Sequence, residues 1–197
     1  MIEALLTLLS TTALLLGSPG PAPLALAATG ATFGCKKSIP FLLGILSGLA
    51  VAIFCASIGL ATLFVTFPTM KLICQLAGAG YILFIAYKIA TAPTNTADTP
   101  LNPPNFKDGF ILNLLNPKAY AAFLAIFSQF LLPFTSTNYS YLATGVVCLF
   151  VTTLVDILWL LFGSILRPIF AEPKQARAIR IVFALLMIIA VTFALIK

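Results

Sequence analysis

Charged residues are scarce in this chain: of its 197 residues only 8% are Asp, Glu, Lys or Arg, whereas 61% are hydrophobic. A soluble domain has charged residues at roughly a quarter of its positions, because these side chains cover its water-facing surface. The scarcity excludes a soluble globular protein of this length. The sequence therefore predicts an all-α integral membrane protein, since stretches of about 20 apolar residues recur along it.

Histidine is absent, and the four cysteines, Cys35, Cys55, Cys74 and Cys148, form no CxxC pair. Zinc sites and disulfide frameworks need His and Cys residues in clusters. We therefore expect no metal, no cofactor and no enzyme activity. The formal net charge is +6, but the basic residues stand singly between apolar stretches. This is unlike the basic surface of a nucleic-acid-binding protein, so no nucleic acid partner is expected.

The N-terminal apolar segment lacks the basic residues that open a secretory signal peptide. The only charged side chain before Gly17 is that of Glu3. Small residues at positions 25–28 leave a cleaved signal as the alternative. We expect a membrane helix that is retained.

Six apolar stretches are long enough, or nearly so, to cross a bilayer as helices. We expect a single six-helix domain over residues 1–197, with halves at about 1–90 and 109–197. A loop over residues 91–108, rich in Pro, Thr and Asn, joins the halves. The six stretches are Ala4–Phe33, Ile39–Thr66, Leu72–Ala90, Phe110–Leu132, Tyr141–Leu166 and Ile179–Ile196.

Basic residues are unevenly distributed between the expected loops. Eight follow the first, third and fifth stretches, against two on the opposite side: Lys36, Lys37, Lys88, Lys107, Arg167, Lys174, Arg177 and Arg180, against Lys71 and Lys197. Positive charge marks cytoplasmic loops. The loop over 91–108 is therefore expected in the cytoplasm, and both termini on the non-cytoplasmic side.

Proline interrupts the first and the fourth stretch. The first is broken at Ser18, Pro19, Gly20 and Pro21, and the fourth at Asn113, Asn116, Pro117 and Lys118. Proline removes a backbone donor and clashes with the preceding turn, and in lipid each freed backbone group needs another partner. Three stretches per half force the halves into opposite orientation, so the two broken stretches correspond in a 3+3 inverted repeat. Paired breaks of this kind point to a transporter's binding site.

Two charged residues, Lys118 and Asp156, fall well inside the apolar stretches. Both lie roughly 14–15 Å from the expected cytoplasmic ends, at about 1.5 Å per helical residue. Charges at such depth are functional candidates, and Asp156 is the candidate for reversible protonation coupled to transport. Structural alternatives stay open: Lys118 extends to the membrane surface, and Asp156 caps a helix or forms a structural ion pair.

The segment around Pro21 offers backbone groups in the interior of the expected membrane. A half-helix that begins after Pro21 would direct the positive end of its dipole inward, where a substrate carboxylate can bind. Asn113 and Asn116 add uncharged donors and acceptors on the other broken stretch. The alternative for the first break is a simple kink in a continuous helix.

Two further features concern packing. Gly44 and Gly48 form a GxxxG pair, which we interpret as close helix packing inside the protein rather than a dimer contact. Trp159 fits either an interfacial anchor or a core residue.

With these residues in view, the chain resembles the LysE/RhtB family of bacterial amino-acid exporters. The resemblance covers almost the whole chain and rests on residues 18–21, 78–81, 106–118, 127–130 and 155–156. It implies a six-helix carrier of the inner (plasma) membrane, commonly a homodimer, that exports amino acids or close derivatives by using the proton gradient. Pro23 and the short, weakly charged central loop depart from the family, so the substrate is not identified.

The sequence favours a secondary transporter over two alternatives. The substrate carboxylate would bind at the half-helix after Pro21 and its ammonium would approach Asp156, with Lys118 neutralising Asp156 in the empty state. One buried acid and one buried base fit a neutral amino acid better than a dibasic one. The alternatives are a thiol, electron or metal-ion carrier, which the absence of CxxC and His disfavours, and a membrane scaffold without transport activity.

Overall fold

The computed structural model describes residues 1–58, 102–166, 168 and 173–196, together with isolated positions between 67 and 91. Within these residues the chain is helical and contains no strand, which confirms the all-α class there. The helices are α1 (Ile2–Gly17), α2 (Pro21–Phe33), α3 (Cys35–Ser57), α4 (Phe106–Leu114), α5 (Pro117–Gln129), α6 (Thr137–Ile165) and α7 (Pro173–Ile196).

Helices α3 and α6 are each long and apolar enough to cross a membrane. The bent pairs α1–α2 and α4–α5 meet the same criterion if each pair forms one span, so the described residues contain two candidate spans, or up to four. Helix α7 covers the expected sixth stretch. The expected third stretch, Leu72–Ala90, lies largely outside the described residues, as does most of the central loop.

Both broken stretches are separate half-helices that meet at a sharp bend. The angle is 66° between α1 and α2 and 57° between α4 and α5. Pro21 and Pro117 are the first residues of α2 and α5, a position where proline's missing N–H has no intrahelical role. The predicted breaks are confirmed, and the alternative of a simple kink in a continuous first helix is wrong.

Glycines allow α3 and α4 to approach closely. A Cβ added to Gly44 would meet the backbone carbonyl of Phe106, and one added to Gly109 would meet that of Phe41. A Cβ on Gly48 would lie 2.9 Å from the carbonyl oxygen of Phe110. The GxxxG pair therefore serves a contact within the chain, as predicted.

A second pair of glycines brings α2 against α6 in the same reciprocal way. A Cβ on Gly30 would meet the backbone carbonyl of Leu160, and one on Gly163 would meet that of Ala27. Both glycine contacts join the first expected half of the chain to the second. Helices of the first half therefore pack directly against helices of the second half.

Buried apolar side chains form two clusters, and a polar layer lies between them. Along the chain, one cluster gives way to the other between Leu16 and Ala22, between Ile45 and Leu49, between Leu112 and Ala119, and between Cys148 and Leu160. The residues of both breaks and Asp156 fall in these intervals. The fold therefore brings the polar residues of four separate segments to one level.

Candidate functional site

The first break begins where α1 ends at Gly17. The Ser18 N–H donates to the Leu14 carbonyl at 3.3 Å, and the Ser18 hydroxyl donates to the Leu15 carbonyl at 3.0 Å. Ser18 and Pro19 are exposed, whereas Gly20 and Pro21 are buried. Ser18 thus closes part of the α1 terminus.

Two side chains from the second half of the chain donate hydrogen bonds to the backbone carbonyls of Gly17 and Ser18 in this break. The indole Nε1 of Trp159 donates to the Gly17 carbonyl at 3.1 Å. The Lys118 ammonium donates to the Ser18 carbonyl at 2.5 Å and to the Ser18 hydroxyl at 2.8 Å. Lys118 therefore crosses to the first break.

Gly20 gives the Lys118 side chain room to reach Ser18. A Cβ at Gly20 would lie 3.0 Å from both Cδ and Nζ of Lys118. The backbone at Gly20 is extended, with φ −164° and ψ 179°, so its conformation would accept any residue. Space for the lysine, not backbone freedom, is the reason that glycine fits here.

The N-terminus of α2 offers fewer donors than the sequence led us to expect. The first four N–H groups of a helix, counted from the N-cap, have no intrahelical acceptor. The N-cap of α2 is Gly20, and Pro21 and Pro23 carry no N–H at all. The Leu24 N–H donates to the Gly20 carbonyl at 3.0 Å. The N–H groups of Gly20 and Ala22 are therefore left at this end, and Pro23 removes a third donor from the site.

The second break is satisfied locally. The side-chain oxygen of Asn116 accepts a hydrogen bond from the Lys118 N–H at 3.1 Å, and its backbone carbonyl accepts one from Ala119 at 3.2 Å. The Asn116 N–H donates to the Asn113 carbonyl at 3.0 Å. Asn116 is therefore the N-cap of α5, where Pro117 is the first residue, and its side chain has a structural task.

Asn113 is different, because its amide nitrogen has no partner. The residue is 2% exposed, and Nδ2 is the one buried side-chain nitrogen or oxygen without a hydrogen bond in the part of the chain that the structure describes. Leaving a buried hydrogen-bond donor without an acceptor lowers the stability of the folded protein by about 1–3 kcal/mol. A native protein rarely keeps one without a reason.

Asp156 lies on α6 and is 2% exposed. Its carboxylate and the Lys118 ammonium attract each other electrostatically, while the hydrogen bonds of that ammonium go to Ser18. The structure thus places the two charged side chains near enough for an electrostatic interaction, and their direct pairing stays a prediction. It shows Lys118 bonded to the first break rather than to Asp156.

Trp159 is the residue of this site whose role the sequence left undecided. It lies three residues after Asp156, and residues three apart share one face of a helix, so a signal was present. The indole ring packs against the cluster that contains Leu160 and edge-on against Phe162, with ring centroids 6.1 Å apart. Together with its bond to Gly17, this assigns Trp159 to the core rather than to an interface.

Comparison with known proteins settles the family. The model of the LysE type translocator family matches residues 13–197. The chain belongs to this family. The resemblance drawn from the sequence is therefore confirmed, and the protein is a translocator, not an enzyme.

Similar LysE type translocators are known from enteric bacteria. The chain is 31% identical over 172 residues to a cysteine/O-acetylserine efflux protein of Escherichia coli O157:H7, covering 87% of each chain. It is 30% identical, with the same coverage, to proteins of the same description from Escherichia coli K12 and from Shigella flexneri serotype 5b. No solved structure matches the chain.

Proposed function

We propose that this chain is a secondary active transporter that exports small neutral amino acids or close derivatives across the inner membrane, coupled to inward movement of protons. Family membership supports transport, and the relatives are described as cysteine/O-acetylserine efflux proteins. Both named solutes carry one carboxylate and one ammonium. The observation that carries the proposal is that the base Lys118 joins the two breaks while a buried acid, Asp156, lies on α6 in the same polar layer.

The substrate carboxylate binds to Lys118 in this proposal. Because Pro21 and Pro23 remove two of the four donors at the start of α2, the half-helix alone provides only the N–H groups of Gly20 and Ala22. The Lys118 ammonium already has two oxygen acceptors on Ser18. A carboxylate replaces those neutral acceptors with an oppositely charged one, so the attraction of an ion pair adds to the charge-assisted hydrogen bonds that the ammonium already makes.

Asp156 binds either the substrate ammonium or a proton. A buried carboxylate needs a positive partner or must be neutralised, because an unpaired charge in an apolar interior is very costly. When the substrate leaves on the outer side, a proton takes its place, and the neutral acid returns inward. Competition for one carboxylate then couples export to proton influx. The role of Lys118 differs from our first hypothesis, because its ammonium binds the carboxylate of the substrate instead of neutralising Asp156.

The wider architecture belongs to the same proposal. Three helices in each half form an inverted repeat, and the excess of basic residues in alternate loops supports a non-cytoplasmic position for both termini. Reporter fusions at each terminus test this orientation. The homodimer implied by the family resemblance is tested by the mass of the purified protein in detergent.

Reconstitution into proteoliposomes tests the function. With an imposed pH gradient, the wild-type protein should accumulate a neutral amino acid such as cysteine or serine on the acidic side. Asp156→Asn, which keeps size but cannot exchange a proton, should lose this accumulation. Glu3→Gln is the matched control, because Glu3 is exposed near the N-terminus and away from both breaks.

Two outcomes would contradict the proposal. Wild-type protein that moves no amino acid at all would remove the transport function and favour a scaffold. Accumulation by Asp156→Asn equal to that of the wild type would remove Asp156 from proton coupling and leave transport itself intact.

A further inference from the structure

We propose that Asn113 determines substrate specificity by donating a hydrogen bond to an acceptor oxygen in the substrate's side chain. The inference rests on the proposed export function and deepens it. It assigns the site to amino acids with a hydroxyl, ether or ester oxygen in the side chain, in preference to purely aliphatic ones of equal size.

The first step is that the amide of Asn113 has no task within the protein. Its nitrogen is buried and unpartnered, and the residue is 2% exposed. The capping role at this break belongs to Asn116. The contact that Asn113 does make with Asn116 uses its backbone carbonyl, which any residue would supply. A leucine of similar size would avoid the cost of a buried, unpaired donor.

The second step is location. Asn113 lies in the polar layer, between Leu112 of one apolar cluster and Ala119 of the other. Lys118 and Asp156 lie in the same layer. On the α3 side, a Cβ at Gly48 would lie 3.2 Å from the Cβ of Asn113, so the small glycine accommodates the asparagine there.

The third step follows from the chemistry of an amino acid. Its carboxylate is assigned to Lys118 and its ammonium to Asp156, which leaves only the side chain to meet another polar group. An amide N–H is a donor, so it is satisfied by an acceptor oxygen. An aliphatic side chain would leave this donor unpaired, and sites built for a hydrogen bond reject analogues that lack it.

Two nearly isosteric amino acids provide the test. O-methylserine has an ether oxygen where norvaline has a methylene group, and both are neutral zwitterions. Efflux of each is measured from proteoliposomes as kcat/KM for wild-type protein, Asn113→Leu and Asn113→Ala. Ser57→Ala is the matched control, because its hydroxyl bonds to the Phe54 carbonyl of its own helix at the end of α3, outside the polar layer.

The wild-type protein should prefer O-methylserine over norvaline by roughly 5- to 150-fold, the ratio that an unpaired buried donor corresponds to. Asn113→Leu should bring the ratio to about one or reverse it, and Asn113→Ala should lower it, while Ser57→Ala keeps it. A role of Asn113 in folding alone would reduce efflux of both compounds equally and leave the ratio unchanged.

A wild-type ratio of one or below overturns the inference, whatever the variants do. So does a ratio that is the same in wild-type protein and in either Asn113 variant. These outcomes are distinct from failure of the proposed function, in which the wild-type protein transports neither compound nor cysteine.

Discussion

Gly20→Ala is the substitution that tests most directly whether the position of Lys118 matters. The added Cβ would lie 3.0 Å from Cδ and Nζ of Lys118, whereas carbon atoms in good contact are about 3.5–4.0 Å apart. The lysine must therefore move away by about half an ångström or more. Its ammonium bonds to Ser18 at 2.5 and 2.8 Å would lengthen or break.

The expected effect is on transport rather than on folding. The extended backbone at Gly20 accepts alanine without strain, and a flexible lysine yields at little cost in stability. Displacing the ammonium weakens a hydrogen bond to a charged group, which contributes about 1.5–3 kcal/mol. We therefore expect kcat/KM for efflux of a neutral amino acid to fall roughly 10- to 150-fold, with little change in the melting temperature.

The measurement is efflux from proteoliposomes beside thermal unfolding in detergent. Gly80→Ala is the matched control, because a Cβ placed there meets no atom within 4 Å among the described residues outside its own helix segment, and it should change neither quantity. Unchanged efflux by Gly20→Ala would show that the position of the Lys118 ammonium is unimportant for transport. A loss of melting temperature as large as the loss of transport would show that Gly20 is needed for folding instead.

Two further predictions concern stability. Gly163→Ala places a Cβ against the backbone carbonyl of Ala27, and overpacking of this kind costs about 1–3 kcal/mol, so its melting temperature should fall while that of Gly80→Ala does not. Equal melting temperatures would contradict the close contact of α2 and α6. Trp159→Phe keeps an aromatic ring but removes the donor to the Gly17 carbonyl, and leaving that carbonyl unpaired should cost about 1–3 kcal/mol. Wild-type thermal stability of Trp159→Phe would show that water or another group satisfies Gly17.

The breaks were predictable because their cause is local. Proline at positions 21 and 117 prevents a continuous helix whatever surrounds it, and both α2 and α5 begin at those residues. The shortage of donors at the start of α2 is equally local. It could have been predicted from Pro21 and Pro23 once the helix was known to begin at Pro21.

The partners of the freed carbonyls were not predictable in the same way. Lys118 and Ser18 are 100 positions apart, and Trp159 and Gly17 are 142 apart. Depth in the membrane predicted that Lys118 and Asp156 share a level, but it could not choose between Asp156 and Ser18 as acceptors of the ammonium. That choice depends on how α5 and α6 pack against the first break.

Glycine packing shows the same limit. The spacing of Gly44 and Gly48 predicted a close contact on α3, yet no pattern named α4 as its partner. Gly109 and Gly163 contribute equally tight contacts without forming a GxxxG pair. Small residues are recognisable in a sequence, but the backbone that approaches them is a property of the assembled helices.

The two breaks are satisfied by different means, and this difference has a mechanical consequence. Asn116 caps the second break with its own side chain, so that break can stay unchanged as the helices move. The first break depends on Lys118 and Trp159 from the other half, and a freed carbonyl left unpaired costs about 1–3 kcal/mol. A substrate carboxylate that draws Lys118 away from Ser18 removes one of these two supports. Substrate binding would thereby loosen the contact between α1 and the second half, and we expect the conformational change of transport to begin at the first break.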